Sequence, residues 1–374
     1  MRFTSAERTV RELLKQAGVT VNGKQPWDIS VHDPRFYRRV LAQGSLGLGE
    51  SYMDGWWDCK KLDLFFEKII LARIEEHLPH SLSFALHVLR SRVLNLQTKR
   101  RAMKVAKEHY DLGNDFYMAF LDPYNQYTCG YFRDTEDLNR AQEQKLDLIC
   151  RKLQLKKGDH VLDIGCGWGG FAKYAAKHYG CRVTGITISQ EQASFAREFC
   201  KGLPVEIRLT DYRDLKGSFD KVLICGMIEH VGYKNYRTIL RKVWQCLKED
   251  GLFLLHTIGT TVSVTTSTDP WTTRYIFPNS MLPSASQIGR AIEGLFVMED
   301  WHNFGAYYAP TLRAWYRNFV KSWPAFRKRY GERFFRMFAY YLLSFAGAFE
   351  VRSPQLWQVV LSKNGVPGGY STVR

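Results

Sequence analysis

The stretch Val161-Leu-Asp-Ile-Gly165-Cys-Gly167-Trp-Gly169-Gly170 decides the fold. DHVLDIG (159–165) reads as a short buried strand, and GGFAKYAAKHYG (169–180) as a helix. Glycines at 165 and 167 let the backbone turn tightly between them and come close to a ligand, where a Cβ would stand in the way. The alternation continues downstream. CRVTGITI (181–188) is a strand, SQEQASFAREFCKGL (189–203) a helix, and VEIRLTD (205–211) and FDKVLIC (219–225) are strands. The helix NYRTILRKVWQCLKED (235–250) and the strand GLFLLHTIG (251–259) follow. Such alternation requires parallel strands joined by crossover helices, an α/β doubly wound, Rossmann-like sheet. Past Thr260 come a Pro/Thr-rich loop, further amphipathic helices and LWQVVLSK (356–363) as a closing strand.

Towards the N-terminus the period is helical. Val10, Leu13, Leu14 and Ala17 share one face, and Gly18 is placed to end that helix. Leu62 to Ile74 and Leu82 to Val93 repeat the period, separated from the first by the Gly-rich, aromatic GSLGLGESYMDGWWDCKKLD (44–63). A basic connector with Lys99, Arg100, Arg101, Lys104 and Lys107 marks a boundary. Residues 1–100 are expected to form a smaller, mainly helical N-terminal domain, and 101–374 the ligand-binding domain.

The formal net charge of +16 implies attraction to a polyanion, either nucleic acid or an anionic lipid surface. Charge alone does not choose between them. The eight cysteines are scattered without a C-x-x-C pair, which argues against a zinc module or a disulfide framework and for reduced thiols in a cytoplasm. No metal is expected. MRFTSAERTVRELLKQ has no apolar signal core, and no apolar run approaches the roughly 18 residues of a membrane span.

Two details of the glycine turn favour S-adenosylmethionine over a dinucleotide. Asp163 lies inside the strand end, placed to meet a ligand's amino group through the turn, and G-x-G-x-G departs from G-x-G-x-x-G, although Gly170 makes the latter formally satisfiable. The second strand ends in Thr187-Ile188-Ser189, with Gln192 a turn later, where a dinucleotide enzyme would carry a ribose-binding acid. Asp211 and Tyr212 follow the third strand, placed to meet an adenine amino group and ring face; the plainer reading is a turn residue and a core aromatic.

KEHYDLGNDFY (107–117), LDPYNQYTCGYF (121–132), VLDIGCGWGG (161–170), GITISQEQ (185–192), MIEHVG (227–232), LLHTIG (254–259) and EDWHNFGAYY (299–308) together resemble the bacterial cyclopropane-fatty-acid synthases. The resemblance reaches back through QGSLGLGESYMDGWWDC (43–59) and forward through YIFPNSMLPS (275–284) and AFEVRSPQLWQVVLSK (348–363). It includes the N-terminal domain that the shorter mycolic-acid cyclopropane synthases lack. It implies a class I methyltransferase fold and transfer of a methylene group from S-adenosylmethionine to the cis double bond of an unsaturated phospholipid acyl chain.

By this resemblance Tyr127 and Thr128 lie against the methionine part of the cofactor. Val161, Leu162, Asp163, Ile164, Gly165, Cys166, Gly167, Trp168 and Gly169 wrap its carboxylate and ribose side. Thr187, Ile188 and Gln192 meet ribose and adenine, and Tyr212 and Arg213 flank the adenine; Ser189 and Asp211 join the cofactor-binding set from their places after the second and third strands. A bicarbonate ion beside the sulfonium is matched by Cys129, Glu229, His256, Ile258 and Tyr308. In an apolar strand His256 alone would read as a satisfied core residue; Glu229 at the end of another sheet strand makes it a site candidate. His230 reads as structural. The family often carries a Cys before AGAF, where this chain has Phe345, so a thiolate mechanism at that point is not expected.

Partners follow from the substrate. An acyl chain does not travel through water, so docking on an anionic membrane surface is expected. RKRYGERFFRMF (327–338) and the basic connector suit it, and the N-terminal domain is left for lipid docking or a homodimer contact. Localisation is then cytoplasmic, at the inner face of the membrane. A nucleic-acid methyltransferase would share charge and fold but should show N/D-P-P-Y/F after the fourth strand, where this chain reads CGMIEHVG. A non-cyclising acyl-chain methyltransferase is the nearer alternative. A non-catalytic lipid-binding module does not account for a complete cofactor pocket.

Overall fold

The fold is that of a computed structural model, which describes residues 4–74, 113–265 and 269–374. The expected helix at Leu82–Val93, the basic connector and the first part of KEHYDLGNDFY lie outside the described residues. Backbone contacts group the chain into two compact units that are not consecutive stretches. The first comprises Met1–Leu94, Ser267–Pro278 and Tyr308–Ser353; the second comprises Asn95–Thr266, Asn279–Tyr307 and Pro354–Arg374.

In the first unit, Thr4 caps the helix Ser5–Gln16 by accepting from the Glu7 amide at 3.2 Å, and Gly18 takes the left-handed φ of 67° that ends it. Strands β1 (Ile29–Val31) and β2 (Trp57–Cys59) pair antiparallel. The Gly-rich stretch between them holds a helix, Ser45–Met53. Glycine is weak in a helix interior, but here it clears neighbours. A Cβ on Gly49 would lie 2.3 Å from Trp271 Cδ1, and one on Gly47 would lie 2.4 Å from the Arg39 carbonyl oxygen. The expected helix at Leu62–Ile74 is present as Leu62–Leu71. The segment Tyr308–Glu350 is helical on both sides of a break at Gly331, where φ is 74°. Its second part packs so closely on Leu62–Leu71 that a Cβ on Gly347 would lie 2.4 Å from the Asp63 carbonyl oxygen. Arg313 bonds Asp63 at 2.8 Å, Glu67 at 3.0 Å and Glu350 at 2.6 Å, tying three segments of the unit.

The second unit is built on one sheet of strands β3 (His160–Ile164), β4 (Arg182–Thr187), β5 (Val205–Leu209), β6 (Phe219–Cys225), β7 (Leu247–Gly259), β8 (Val297–Asn303) and β9 (Gln355–Ser362). Their order is β5-β4-β3-β6-β7-β9-β8; the first five are parallel, β9 is reversed against β7, and β8, antiparallel to β9, points the same way as the first five. Alternate side chains serve opposite faces. Leu162, Ile164, Val222 and Ile224 join one core cluster, and Val161, Val183, Leu223 and Leu254 join the other. Both faces are covered, as a parallel sheet requires. Strand order reverses between β3 and β6, the point where such sheets hold ligands.

Two expectations need correction. The helix over NYRTILRKVWQCLKED stops at Cys246, and Leu247 already belongs to β7, paired with Phe219. The edge strand β8 was not foreseen among the later helices. Its burial is irregular, a bulge sits between Met298 and Asp300, and its sequence VMEDWHN carries no clean alternation.

Candidate functional site

The glycine turn leaves the end of β3 and runs into the helix Gly170–Tyr179. Its glycines answer different needs. Gly165 has φ 83°, and a Cβ there would lie 2.8 Å from Met227 Cγ. Gly169, also at φ 83°, lies against Ala196 and Cys200, so the next helix can pack close. A Cβ on Gly167 (φ 53°) would meet nothing within 4 Å. The space over Gly167 is therefore not required by the protein's own packing and fits a ligand cradle. Trp168 is buried and donates its Nε1–H to Asn114 at 2.8 Å. Asp163 is buried beneath the turn, and burial, opposed by the nearby Lys145, raises its pKa to about 7.

At the end of β4, the Thr187 hydroxyl lies 3.0 Å from Gln192 Oε1 and accepts from the Ser189 amide. Ser189 caps the helix Gln190–Phe199 by accepting from the Gln192 amide. Its hydroxyl thus has a structural use, as expected of Ser before a helix. Ile188 is half-buried beside them. Asp211 accepts from the Arg213 amide at 2.9 Å and pairs with its guanidinium, while that guanidinium lies 4.5 Å from the centre of the buried Tyr212 ring. The plainer readings for Asp211 and Tyr212, a turn acid and a core aromatic, describe what these side chains do within the protein.

Tyr127, Thr128 and Cys129 lie between two helices, Asn114–Met118 and Leu138–Lys152. Tyr127 packs in an aromatic group with Tyr117, 5.4 Å away between ring centres, and Tyr117 in turn contacts Trp168. The Thr128 carbonyl accepts from Gln142 Nε2 at 2.8 Å, and its hydroxyl accepts from Lys145 Nζ at 2.9 Å. Cys129 is fully buried, its thiol 3.2 Å from the Gly130 carbonyl oxygen.

The second cluster forms at the ends of β6 and β7. The chain leaving β6 makes a short turn over Ile228–His230 that carries Glu229, whose carbonyl is fixed by the Met281 amide at 2.7 Å. Glu229 Oε1 accepts from the Ile258 amide at 2.7 Å. Its Oε2 is buried without a hydrogen-bond partner among the described residues. Burial raises the Glu229 pKa to about 7, opposed by its own amide, the Ile258 amide and the Thr257 hydroxyl. On β7, His256 Nδ1 lies 3.2 Å from the Gln358 amide nitrogen of β9, and His256 Nε2 is buried without a partner among the described residues. Burial, then the positive charges of Lys145 and Lys152, hold His256 well below its usual pKa, so it is neutral. A half-bonded acid and a neutral imidazole, each with a vacant polar atom, suit a small anion or hydrogen-bonding ligand. His230 is half-buried, and desolvation pushes it down to about 4.

Tyr308 falls in the first compact unit, where its ring stacks on Phe349 at 4.3 Å. Three polar residues of the second unit were not singled out from sequence: Lys145, Gln142 and Gln358. Each is fully buried. The available signal was a polar residue on an otherwise apolar face, as in LWQVVLSK.

The sheet order, the glycine turn after β3 and the acid beneath it define the class I S-adenosylmethionine-dependent methyltransferase fold. The family model of mycolic acid cyclopropane synthetase matches residues 97–359, and the chain belongs to that family. The cyclopropane-fatty-acyl-phospholipid synthase of Escherichia coli K12 is 54% identical over 367 residues, 98% of this chain and 96% of that protein. A probable fatty acid methyltransferase of Pseudomonas putida is 38% identical over 280 residues, 71% of this chain and 70% of that one. Among solved structures, a cyclopropane synthase from Mycobacterium tuberculosis superposes with a TM-score of 0.66 at 26% identity, covering 72% of this chain and 100% of its own. A mycolic acid cyclopropane synthase complexed with SAH and CTAB gives a TM-score of 0.65 at 27% identity, covering 70% and 98%.

Proposed function

We propose that this protein forms cyclopropane rings on the unsaturated acyl chains of membrane phospholipids, using S-adenosylmethionine as one-carbon donor. The observation that carries this reading is near-full-length identity, 54% over 98% of the chain, to a cyclopropane-fatty-acyl-phospholipid synthase. The alkene attacks the sulfonium methyl, the carbon–sulfur bond breaks, and S-adenosylhomocysteine leaves. The added methyl then loses a proton, and its C–H electrons close the ring onto the cationic carbon.

The protein's part is positioning and exclusion of water, which can lower a barrier by roughly 7–11 kcal/mol. Asp163 and the cradle at Gly167 would hold the cofactor's amino-acid and ribose side, and Thr187, Ile188 and Gln192 its ribose and adenine. Tyr127, Tyr131 and Phe304 put aromatic faces in this unit, with Tyr131 and Phe304 5.2 Å apart between ring centres. Such faces stabilise a cation without attacking it. Cys129, Glu229, His256 and Ile258 would hold bicarbonate, which supplies a weak base for the final proton; Tyr308 joins this set by resemblance alone. The vacant Glu229 Oε2 and His256 Nε2 support that assignment.

Among the described residues no helix is long and apolar enough to cross a membrane. The substrate lies in a bilayer, so docking on an anionic surface is part of the proposal. Lys321, Arg327, Lys328 and Arg329 are exposed on the Tyr308–Glu350 segment and suit it. Arg333 and Arg336 of the same stretch are tied to Asp54 and Asp58. The N-terminal residues remain assigned to lipid docking or a homodimer contact.

The test is mass spectrometry of cis-unsaturated phospholipid vesicles incubated with the protein and S-adenosylmethionine. The expected product is heavier by one methylene and takes up no hydrogen on hydrogenation. A product of that mass that does take up hydrogen establishes the second reading, a non-cyclising methyltransferase, which the likeness to the Pseudomonas putida protein favours.

A further inference from the structure

The helix Leu138–Lys152 contains two lysines whose side chains are wholly buried, Lys145 and Lys152. Lys152 is matched by the protein. Its Nζ lies 3.2 Å from Asp300 Oδ2, a carboxylate that Arg374 also grips through both oxygens at 2.7 Å. Lys145 is different. Its Nζ donates to Gln126 Oε1 at 2.5 Å and to the Thr128 hydroxyl at 2.9 Å, both neutral acceptors. It forms no ion pair among the described residues, and an ammonium has a third N–H to place. Of its neighbours on the helix, Ala141, Leu146, Leu148 and Ile149 are apolar and fully buried, and Gln142, also fully buried, is polar but uncharged, so nothing on the helix offsets a charge there. A buried charge without a counter-charge is expensive to keep.

Its position says what the charge is for. Thr128, which it bonds, lies against the end of β6: a Cβ on Gly226 would be 2.8 Å from Thr128 Cγ2, and Cys225 Sγ is 3.9 Å from Thr128 Oγ1. Asp163, at the end of β3, is within electrostatic reach of Lys145 but not paired with it. The lysine thus sits beside the β3/β6 switch point, where such sheets hold their ligands. Cys129, Cys225, Asp122 and His256 are the other ionisable groups around it. Asp122 is engaged by the amides of Tyr124 and Gln126, burial pushes the Cys225 thiol up to about 11, and His256 is neutral. None of them is bonded to Lys145.

We propose that Lys145 is the anion receptor of this crevice, its ammonium taking a small carboxylate. The ligand chemistry has two sources: the α-carboxylate of the cofactor's methionine end, or bicarbonate. The first pairs naturally with Asp163, since a buried basic group and a buried acid held apart match the two ends of an amino-acid zwitterion. This rests on the methyltransferase reading above.

Calorimetric titration of the full-length protein decides it, with S-adenosylhomocysteine and its decarboxylated analogue as probes. Wild type must bind S-adenosylhomocysteine; if it does not, the cofactor reading itself fails. Lys145→Met is expected to weaken S-adenosylhomocysteine roughly 10- to 100-fold while changing the analogue by less than about twofold, the loss of one charged hydrogen bond. The analogue's unchanged affinity also shows that the variant is folded. Unchanged affinity for both probes with a raised bicarbonate requirement in turnover assigns the receptor to bicarbonate. Equal weakening of both probes, or no change in either affinity or bicarbonate requirement, overturns the proposal. If Lys145→Met does not fold, Lys145→Arg, which displaces the charge, is titrated against the same outcomes.

Discussion

Glu229 Oε1 accepts a hydrogen bond from the Ile258 amide at 2.7 Å, while Oε2 of the same carboxyl is buried without a partner. One oxygen is spent on holding the turn after β6 against the end of β7; the other meets no partner among the described residues. Burial at this point raises the carboxyl to about 7 from an ordinary 4.5. Near neutral pH it can therefore carry a proton or share one, which a fully solvated glutamate cannot.

That position is costly to the folded state. A carboxyl whose folded pKa is raised favours the fold in its protonated form, so its contribution is intact below pH 4.5 and lost as pH rises through 7. The gap corresponds to roughly 3 kcal/mol when fully expressed. Glu229→Gln keeps an acceptor for the Ile258 amide and removes the titration. The ligand-free variant is expected to be more stable than wild type at pH 8, by roughly 2–3 kcal/mol, with the advantage fading by pH 5. Urea unfolding at the two pH values measures it. Equal stabilities at pH 8 would contradict a buried, charge-penalised Glu229.

The glycine turn separates stability from binding. Gly165→Ala puts a Cβ 2.8 Å from Met227 Cγ at φ 83°, and should lower the melting temperature sharply. Gly167→Ala adds a Cβ that meets no protein atom, so its cost is only the left-handed backbone, roughly 1 kcal/mol. Its main effect is expected on S-adenosylhomocysteine affinity, weakened at least about tenfold because the Cβ enters the ligand's space. Thermal unfolding without ligand and calorimetric titration should rank the two variants in opposite orders.

The sheet was legible because strands buried on both faces read as apolar runs, as the parallel β3, β4 and β6 and the antiparallel β9 do. Strand β8 was not, since VMEDWHN is an edge strand with a bulge and mixed burial. Leu247 to Asp250 continue a helical pattern, yet pairing with Phe219 draws Leu247 into β7, an override of local preference by the sheet. At the site, Glu229 and His256 were reached through the resemblance, and the structure adds that each keeps a vacant atom. Lys145 was illegible for a physical reason: inside a helix a single lysine reads as a solvated residue until burial is known.

Docking on anionic lipid should be electrostatic. Arg327, Lys328 and Arg329 are exposed in sequence on one segment, and near a charged surface each basic residue contributes about 1 kcal/mol. Replacing the three by Gln is expected to lower partitioning onto anionic vesicles by roughly 10- to 100-fold at low salt, with little change on neutral vesicles. Wild-type binding should itself fall steeply with salt, because attraction is screened beyond a Debye length of about 8 Å at physiological ionic strength. Co-sedimentation across a salt series reads both effects, and a flat series removes electrostatic docking.

Phe345 gives a negative forecast. Its ring packs against Tyr341 at 5.0 Å and Phe277 at 6.4 Å between centres, within an aromatic group of the first unit. A thiol there would lose those contacts and gain no base. Phe345→Cys is expected to lower stability by roughly 1–3 kcal/mol and not to raise turnover. A faster enzyme would reopen a thiolate mechanism at this position.

The last prediction concerns the base. If one bicarbonate is held by Glu229 Oε2 and His256 Nε2, Glu229→Gln and His256→Ala should each slow turnover far more than they weaken S-adenosylhomocysteine binding. Both groups would act after the sulfonium is seated, so their loss raises the barrier and leaves the ground state alone. The two effects should also be strongly non-additive, since losing either ligand empties the shared site and leaves the second loss little to remove. Gln358 supplies a control with a different signature. Its amide lies 3.2 Å from His256 Nδ1 and fixes the ring from behind. Gln358→Leu should therefore reproduce a muted form of the His256→Ala defect, partly restored by raised bicarbonate because the imidazole is still present but less well oriented. Single-turnover kinetics of Glu229→Gln, His256→Ala, their double variant and Gln358→Leu, each with and without added bicarbonate, distinguishes the cases. Fully additive losses, or losses that appear only as weaker cofactor affinity, would mean that Glu229 and His256 do not share an ion and that the proton leaves by another route.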